Sequence, residues 1–283
     1  MHAIGRLRAA ILAGFTCLSF QVFTLECDAE IYTLSDGNSI AQINPSDQTG
    51  MFNWSVNGQN QLNKQWFWYS VGSDPERSID TISDPVISDL TATTLTTSYY
   101  DSANRFNLSI FYSLIGGSAN SGTADITEQI RINNTSGSVL PFHFYQYSDF
   151  DIGGTPDNDT IVLSKNGFTH KINQADQFDG DSIVEVVNTP NALHGEADVV
   201  PNTLTKLNDY LLTTLDDSQT SAFGDVAWAL QWDVNIAKGG SYIISKDKHL
   251  EVEVEVVAPE PGTLILLGTG LLGLLAYVWR KRK

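Results

Sequence analysis

Cysteine is almost absent from this 283-residue sequence. Its two cysteines, Cys17 and Cys27, both lie within the first 29 residues. The rest of the chain therefore cannot form a disulfide, a thiolate metal site or a thiol nucleophile. Its stability must come from a packed core, and residues 30–256 are numerous enough to bury one.

Basic residues are also scarce, with 16 lysines and arginines against 33 aspartates and glutamates and a net charge of −17. Residues 30–258 alone hold 30 acids and 10 bases, which gives a net charge of −20. Nucleic acids and anionic lipids are polyanions, so a body this acidic argues against either as a partner. Such a surface suits solubility, cations or neutral sugars.

The motifs of common catalytic sites are missing as well. The sequence contains no G-x-S-x-G nucleophile elbow and no glycine-rich phosphate loop. Four histidines are scattered without the close spacing of a metal-ligand pair, namely His143, His170, His194 and His249. We therefore predict that the protein is not an enzyme. Paired carboxylates of a polysaccharide-active enzyme are the remaining catalytic alternative.

One long apolar run is present, at residues 262–279, and it contains no charged residue. Its length is near the lower end of the roughly 17–25 residues that span a bilayer, so it predicts a transmembrane helix. The run is preceded by Pro259-Glu260-Pro261. It is followed by four cations that would hold the end of the chain on the cytoplasmic side, Arg280, Lys281, Arg282 and Lys283.

This order of motif, apolar helix and basic end resembles the PEP-CTERM sorting signal of Gram-negative bacteria, and Gly262-Thr263 after the motif is also typical of it. The resemblance implies that an exosortase-type membrane protease recognises Pro259, Glu260 and Pro261 and cleaves near them. The helix would then be a temporary anchor in the inner membrane. The resemblance also implies an association with exopolysaccharide and biofilm. An ordinary tail anchor is the alternative.

Residues 1–29 are typical of a secretory signal peptide. Arg6 and Arg8 precede a mostly apolar stretch, and Cys27-Asp28-Ala29 offers small residues before a cut after Ala29. An uncleaved N-terminal membrane helix is the alternative. We expect the anchored body to face the periplasm and then to reach the cell surface or the extracellular matrix.

Between the signal peptide and the sorting signal at 257–283, the body at 30–256 is rich in segments of Thr, Val, Ile, Tyr and Phe separated by polar turns. Ile126, Glu128, Ile130 and Ile132 alternate onto one strand face. Two hairpins are predicted, one from Leu90–Tyr100 and Arg105–Leu114, the other from Asp125–Asn133 and Val139–Tyr147. The patterns predict an all-β fold, an antiparallel two-sheet β-sandwich of roughly 10–14 strands.

One segment of the body departs from strand periodicity. Leu204, Leu207, Leu211 and Leu215 recur at three- and four-residue steps after Pro201. This spacing predicts one short amphipathic helix in a crossover connection.

The body also resembles a recurring group of uncharacterised PEP-CTERM proteins. The matching features are the sequence NWSVNG at 53–58, Trp66-Phe67-Trp68-Tyr69, ERSID at 76–80 and YSDFD at 147–151. This second resemblance implies no activity.

Four acids lie within eleven positions around a flexible turn that contains Gly153, Gly154 and Pro156: Asp149, Asp151, Asp157 and Asp159. Hard cations such as Ca²⁺ bind several oxygen ligands from such loops, so these residues are a candidate Ca²⁺ site. Their spacing does not match an EF-hand loop. The alternative is a solvated acidic loop whose aspartates cap local turns.

Trp66 and Trp68 are a candidate sugar platform, because aromatic rings stack on the apolar faces of sugars. The alternative is that a sandwich core buries both rings. We predict a structural or adhesive component of the extracellular layer. A carbohydrate-binding module is the first alternative and a polysaccharide-active enzyme the second.

Overall fold

A computed structural model describes residues 30–254 and 263–282. The predicted signal peptide and the Pro259-Glu260-Pro261 motif lie outside these residues, as does Lys283. The described strands, in chain order, are β1 (Tyr32–Asp36), β2 (Ser39–Asn44), β3 (Gly50–Val56), β4 (Gln59–Asn60), β5 (Leu62–Val71), β6 (Arg77–Ser78), β7 (Val86–Ser88), β8 (Thr94–Tyr100), β9 (Phe106–Gly116), β10 (Thr123–Asn134), β11 (Leu140–Phe150), β12 (Asp159–Lys165), β13 (Thr169–Asp176), β14 (Ser182–Thr189), β15 (His194–Val199), β16 (Ser221–Gly224), β17 (Val226–Ile236) and β18 (Ser241–Glu251).

These strands form two sheets, as the alternating patterns predict. The first sheet has the order β1-β2-β3-β5-β11-β17-β15, with β4 paired to β3 and β6 paired to β5. The second has the order β16-β12-β13-β14-β18-β10-β9-β8-β7. Strands β3 and β5 pair in parallel, and the other pairings of these strands are antiparallel. The antiparallel two-sheet fold is confirmed, although the strands outnumber the prediction.

Aromatic and aliphatic side chains fill the space between the sheets. Phe106 of the second sheet packs against Tyr69 and Phe142 of the first, with ring centroids 5.3 and 5.0 Å away. Ile126, Ile130 and Ile132 are buried on one face of β10, as the alternation predicts. Such burial contributes roughly 1.5–3 kcal/mol for each large apolar side chain.

A cluster of four buried charges also lies between the sheets. Glu128, Glu185, Lys246 and Lys248 are all 0% exposed. Lys246 is paired with Glu128, Lys248 approaches the same carboxylate at 2.9 Å, and both lysines lie 3.5 Å from Glu185. Burial opposes ionisation of Glu128, but the charges of Lys246 and Lys248 outweigh it and lower the pKa of Glu128 to about 2. The cluster is electrically balanced, which limits the cost of burying it.

The predicted helix of the crossover is correct in place but wrong in length. Helix α1 covers only Asn202–Lys206. Leu207 and Leu215 are buried, whereas Leu211 is 66% exposed. Tyr210 has a φ of 63°, in the left-handed region, so the helix cannot continue through it. The leucine spacing still marks buried positions, because the irregular segment after α1 buries Leu207 and Leu215.

One of the two predicted hairpins is correct. Strands β8 and β9 pair antiparallel across the turn at 101–105, where the Asp101 side chain accepts bonds from the Arg105 backbone and guanidinium. The second hairpin is wrong. Strand β10 belongs to the second sheet and β11 to the first, so the chain crosses the sandwich between them.

Helix α2 covers Thr263–Lys281 in the C-terminal region. Its last turn carries Arg280 and Lys281, two of the predicted stop residues. No helix among residues 30–254 and 263–282 combines the length and apolar character needed to cross a membrane.

Candidate functional site

The face of the first sheet that points away from the second sheet, called the outer face here, carries most of the polar side chains of interest. Gln65 of β5 donates to Glu128 of the second sheet, so Gln65 points inward. Because side chains alternate along a strand, Trp66 and Trp68 point to the outer face. The loop between β15 and β16, residues 200–220 and called the crossover segment, covers part of this face. Tyr145 of β11 donates to the carbonyl of Thr213 in that segment at 2.8 Å.

A pocket of about 390 Å³, called the Glu76 pocket, opens between the crossover segment and the region around β6. Its floor is tied to the outer face, because the indole N–H groups of Trp66 and Trp68 donate to Ser78 and Asn208. The lining residues are Gln48, Pro75, Glu76, Arg77, Ser78, Thr81, Leu207, Asn208 and Tyr210. The pocket therefore combines amides, a carboxylate, a guanidinium and an aromatic ring.

Two lining residues have unusual environments. Glu76 is 3% exposed; its Oε2 accepts from the Thr213 backbone N–H at 2.9 Å, and its Oε1 has no hydrogen-bond partner. Tyr210 is 83% exposed and stands at the rim. Small-molecule sites are concave and combine apolar and aromatic side chains with a few placed polar groups, as this pocket does.

The predicted platform residues Trp66 and Trp68 lie below this pocket, 1% and 0% exposed. Neither ring offers a free face to a sugar, and both are buried on the outer face and not between the two sheets. The exposed ring is that of Tyr210, for which the sequence pattern gives no signal.

The scattered histidines are partly brought together. His143 of β11 and His194 of β15 both approach Asp233 of β17, at 2.6 and 3.5 Å. His194 also bonds Asp217, which pairs with Lys165.

The protonation of His143 and Asp233 follows from their contacts. The hydrogen bond to Asp233 raises the pKa of His143, and the other ring nitrogen of His143 faces the carbonyl of Gly72 at 2.9 Å. Burial opposes ionisation of Asp233, but the bond from His143 lowers its pKa. These charged pairs link three neighbouring strands to the crossover segment and therefore stabilise its position.

The four predicted cation ligands separate into different environments. Asp149 and Asp151 lie together with Asp225, and one oxygen of each lies within 4.8 Å of the other two. Asp157 is exposed on the adjoining loop. Asp159 points elsewhere, because its Oδ2 accepts from the Ile152 backbone and from Gln174.

Residues 257–283 match the PEP-CTERM protein-sorting motif, which confirms the first resemblance. The chain therefore carries the signal of an exported surface protein that is processed at the membrane by an exosortase. No curated protein matches the chain in sequence.

Several solved structures share the fold of the body. A candidate aldose 1-epimerase from Escherichia coli K12 has a TM-score of 0.54 at 12% identity, covering 80% of this chain and 99% of that one. A galactose mutarotase related enzyme from Lactobacillus acidophilus has a TM-score of 0.52 at 9% identity, over 80% and 100% of the two chains. A bacterial glucoamylase solved with acarbose has a TM-score of 0.55 at 9% identity, over 80% of this chain but 34% of its own. Identities this low show a shared fold and nothing about activity.

Proposed function

We propose that the body, residues 30–256, is exported behind a cleaved signal peptide, residues 1–29, and is held for a time in the inner membrane by the tail at 257–283. An exosortase-type protease recognises Pro259, Glu260 and Pro261 and releases the body to the cell surface or matrix. There it serves as a structural or adhesive component. The sorting-motif match is the observation that carries this proposal. The apolar run and its basic end support a transient anchor whose body faces the periplasm.

Mass spectrometry of the protein recovered from its host tests this proposal. We expect a new C-terminus near Pro259-Glu260-Pro261 and no peptide from residues 264–283. Glu260→Ala should retain the tail, whereas the control Glu251→Ala should be processed normally. An intact tail in a host with active sorting machinery would make the protein a plain membrane-tethered one.

We propose a second, more specific role for the body, namely the binding of neutral carbohydrate in the Glu76 pocket. The exposed ring of Tyr210 can stack on a sugar face, and the amides of Gln48 and Asn208 can bond hydroxyl groups. Gln48 donates to Asn208 at 3.0 Å, so the two amides are already oriented. The glucoamylase that shares the fold was solved with acarbose, which supports testing sugars first.

Affinity electrophoresis and calorimetry with cellulose, xylan and the host's own exopolysaccharide test this role. We expect binding of at least one of them to weaken about 2- to 10-fold in Tyr210→Ala, since one stacked ring contributes about 0.5–1.5 kcal/mol. The control Tyr100→Ala removes a half-exposed ring of β8 and should bind normally. Equal binding by both variants would contradict the role of this pocket.

A further inference from the structure

Three aspartates converge at one edge of the outer face. Asp149 is the penultimate residue of β11, and Asp151 follows that strand directly. Asp225 precedes β17, which pairs with β11 so that Asp149 faces Ala227. The register therefore brings residues 74 or more positions apart in sequence to one place. One carboxylate oxygen from each lies within 4.8 Å of the other two.

An unsatisfied atom distinguishes this group from an ordinary acidic surface. Asp149 is 3% exposed, and its Oδ1 has no hydrogen-bond partner. Its Oδ2 accepts from the Asn63 amide at 3.1 Å and from the Tyr147 hydroxyl at 3.3 Å. A buried carboxylate oxygen without a partner is costly, and a cation would satisfy it.

Among the described residues, no positive side chain pairs with these carboxylates. Within residues 30–254, no lysine, arginine or histidine forms an ion pair with any of the three. The pKa of Asp149 is raised to about 7, mainly by burial and secondly by the negative charges of Asp151 and Asp225. The pKa values of Asp151 and Asp225 are raised as well, and burial is the main cause for both. Asp157 contributes to the repulsion felt by Asp225.

We propose that Asp149, Asp151 and Asp225 bind one divalent cation, with Ca²⁺ preferred over Mg²⁺. Two oxygens that share a Ca²⁺ at about 2.4 Å lie no more than about 4.8 Å apart, and the three carboxylates each have an oxygen within 4.8 Å of the other two. Asp225 is exposed, so water can complete the coordination shell. Mg²⁺ requires shorter bonds of about 2.0–2.1 Å in a near-ideal octahedron, which a strand end and two flanking residues supply less readily.

The proposal revises the ligand set expected from sequence. Asp149 and Asp151 remain, Asp225 replaces Asp159, and Asp157 becomes an outer neighbour of the group. Asp159 lies outside the group of three; its Oδ2 accepts from Ile152 and Gln174, and its Oδ1 is buried without a hydrogen-bond partner. The site is independent of the Glu76 pocket, so either can fail without the other.

Terbium luminescence of the metal-free body tests the proposal, because Tyr147 donates to the Asp149 carboxylate and can sensitise a bound Tb³⁺. We expect saturable Tb³⁺ emission that Ca²⁺ displaces with a Kd of about 10⁻⁴–10⁻³ M. At pH 8, 10 mM Ca²⁺ should raise Tm by about 3–10 °C. Mg²⁺ at the same concentration should have a clearly smaller effect.

Variants separate this site from general binding to an acidic surface. Asp225→Asn changes an exposed ligand and should weaken Tb³⁺ and Ca²⁺ binding about 10-fold or more, while its metal-free Tm stays within a few degrees of the parent. Asp84→Asn removes an exposed charge away from the site and should bind Tb³⁺ and Ca²⁺ normally. Asp159→Asn changes the ligand predicted from sequence that lies outside the group of three, and it should also bind normally. Unchanged binding by Asp225→Asn, loss of binding in Asp159→Asn, or no Tm response to Ca²⁺ would each overturn the proposal.

Discussion

Lys246 shows how much a single buried residue can decide in this protein. It lies in β18 with no exposure, paired with Glu128, and its ammonium is 5.3 Å from the Phe67 ring. Lys246→Met would leave Glu128 and Glu185 facing only Lys248. Because an uncompensated charge would remain buried, we expect a loss of about 3–5 kcal/mol in the free energy of unfolding, measured by urea denaturation.

Two further variants make the prediction for Lys246 specific. Lys238→Met changes an exposed lysine and should stay within about 0.5 kcal/mol of the parent. The double variant Lys246→Met with Glu128→Gln removes one charge of each sign, so it should recover part of the loss. If Lys246→Met were as stable as the parent, charge balance within the cluster would not contribute to the stability of the fold.

Asp159 gives the body a pH dependence of its own. Burial raises the pKa of this carboxyl to about 7 in the folded state, against an ordinary value of 3.8. The folded state therefore holds the proton more tightly, and the stabilisation is complete below about pH 4 and is lost as the pH rises through about 7. Relative to Asp159→Asn, the parent should lose on the order of 2–4 kcal/mol between pH 4 and pH 8.

Urea denaturation at both pH values measures this difference. Asparagine can keep the acceptor for Ile152 and Gln174, so the variant is expected to fold normally. Asp84→Asn should follow the pH profile of the parent. Parallel profiles for the parent and Asp159→Asn would contradict the assignment.

Residue-level sites were only partly predictable from the sequence. Asp149 and Asp151 were found because they are close in sequence, whereas Asp225 was missed because only strand pairing brings it near. His143, His194 and Asp233 meet for the same reason, on three neighbouring strands. Alternation placed Glu128 on the same strand face as the isoleucines, but it gave no signal for the lysines that neutralise it.

At the scale of elements, one buried carboxylate contacts both ends of the crossover segment. Glu196 of β15 is 0% exposed and accepts from Thr203 at 2.9 Å, Lys206 at 2.6 Å and the Asp216 backbone at 2.7 Å. These contacts fix both ends of the segment against the outer face. The exposed Tyr210 and Leu211 lie between them, in a region where local opening would admit a protease.

We therefore predict that Glu196→Ala accelerates chymotrypsin cleavage around Tyr210 and Leu211 about 10-fold, followed by gel electrophoresis and mass spectrometry of the fragments. The variant loses three hydrogen bonds to the segment, while the strand itself keeps its backbone pairing with β17. Asp198→Ala, on the same strand face, is the matched control and should be cleaved like the parent. Equal cleavage rates would show that other contacts hold the segment.

Element identities were more predictable than their connections. Two-residue alternation marks a strand whichever sheet it joins, so β10 and β11 were both found. The polar turn between them suggested a hairpin, and nothing local distinguishes a hairpin from a crossing between sheets. Helix α1 failed in length for a related reason: leucine spacing reports which residues are buried, and an irregular segment can bury them too.

At the scale of the whole molecule, the body has no disulfide, and its packed core must outweigh the repulsion between its surface charges. Residues 30–258 contain no cysteine and carry a net charge of −20, so the body depends on its core and resists its own repulsion. Salt at 0.15 M reduces the screening length to about 8 Å, which weakens repulsion between separated surface charges. The buried cluster around Lys246 is screened far less.

We predict that raising NaCl from 20 to 300 mM increases Tm of the metal-free body by about 2–4 °C, equivalent to about 1 kcal/mol for a domain of this size. Calorimetry in the presence of a chelator measures this effect without divalent cations. Asp225→Asn should respond to NaCl as the parent does while losing its response to Ca²⁺, because screening acts on the whole surface and the cation on one site. A Tm that falls as NaCl rises would mean that favourable surface ion pairs, such as Lys165 with Asp217, outweigh the net repulsion.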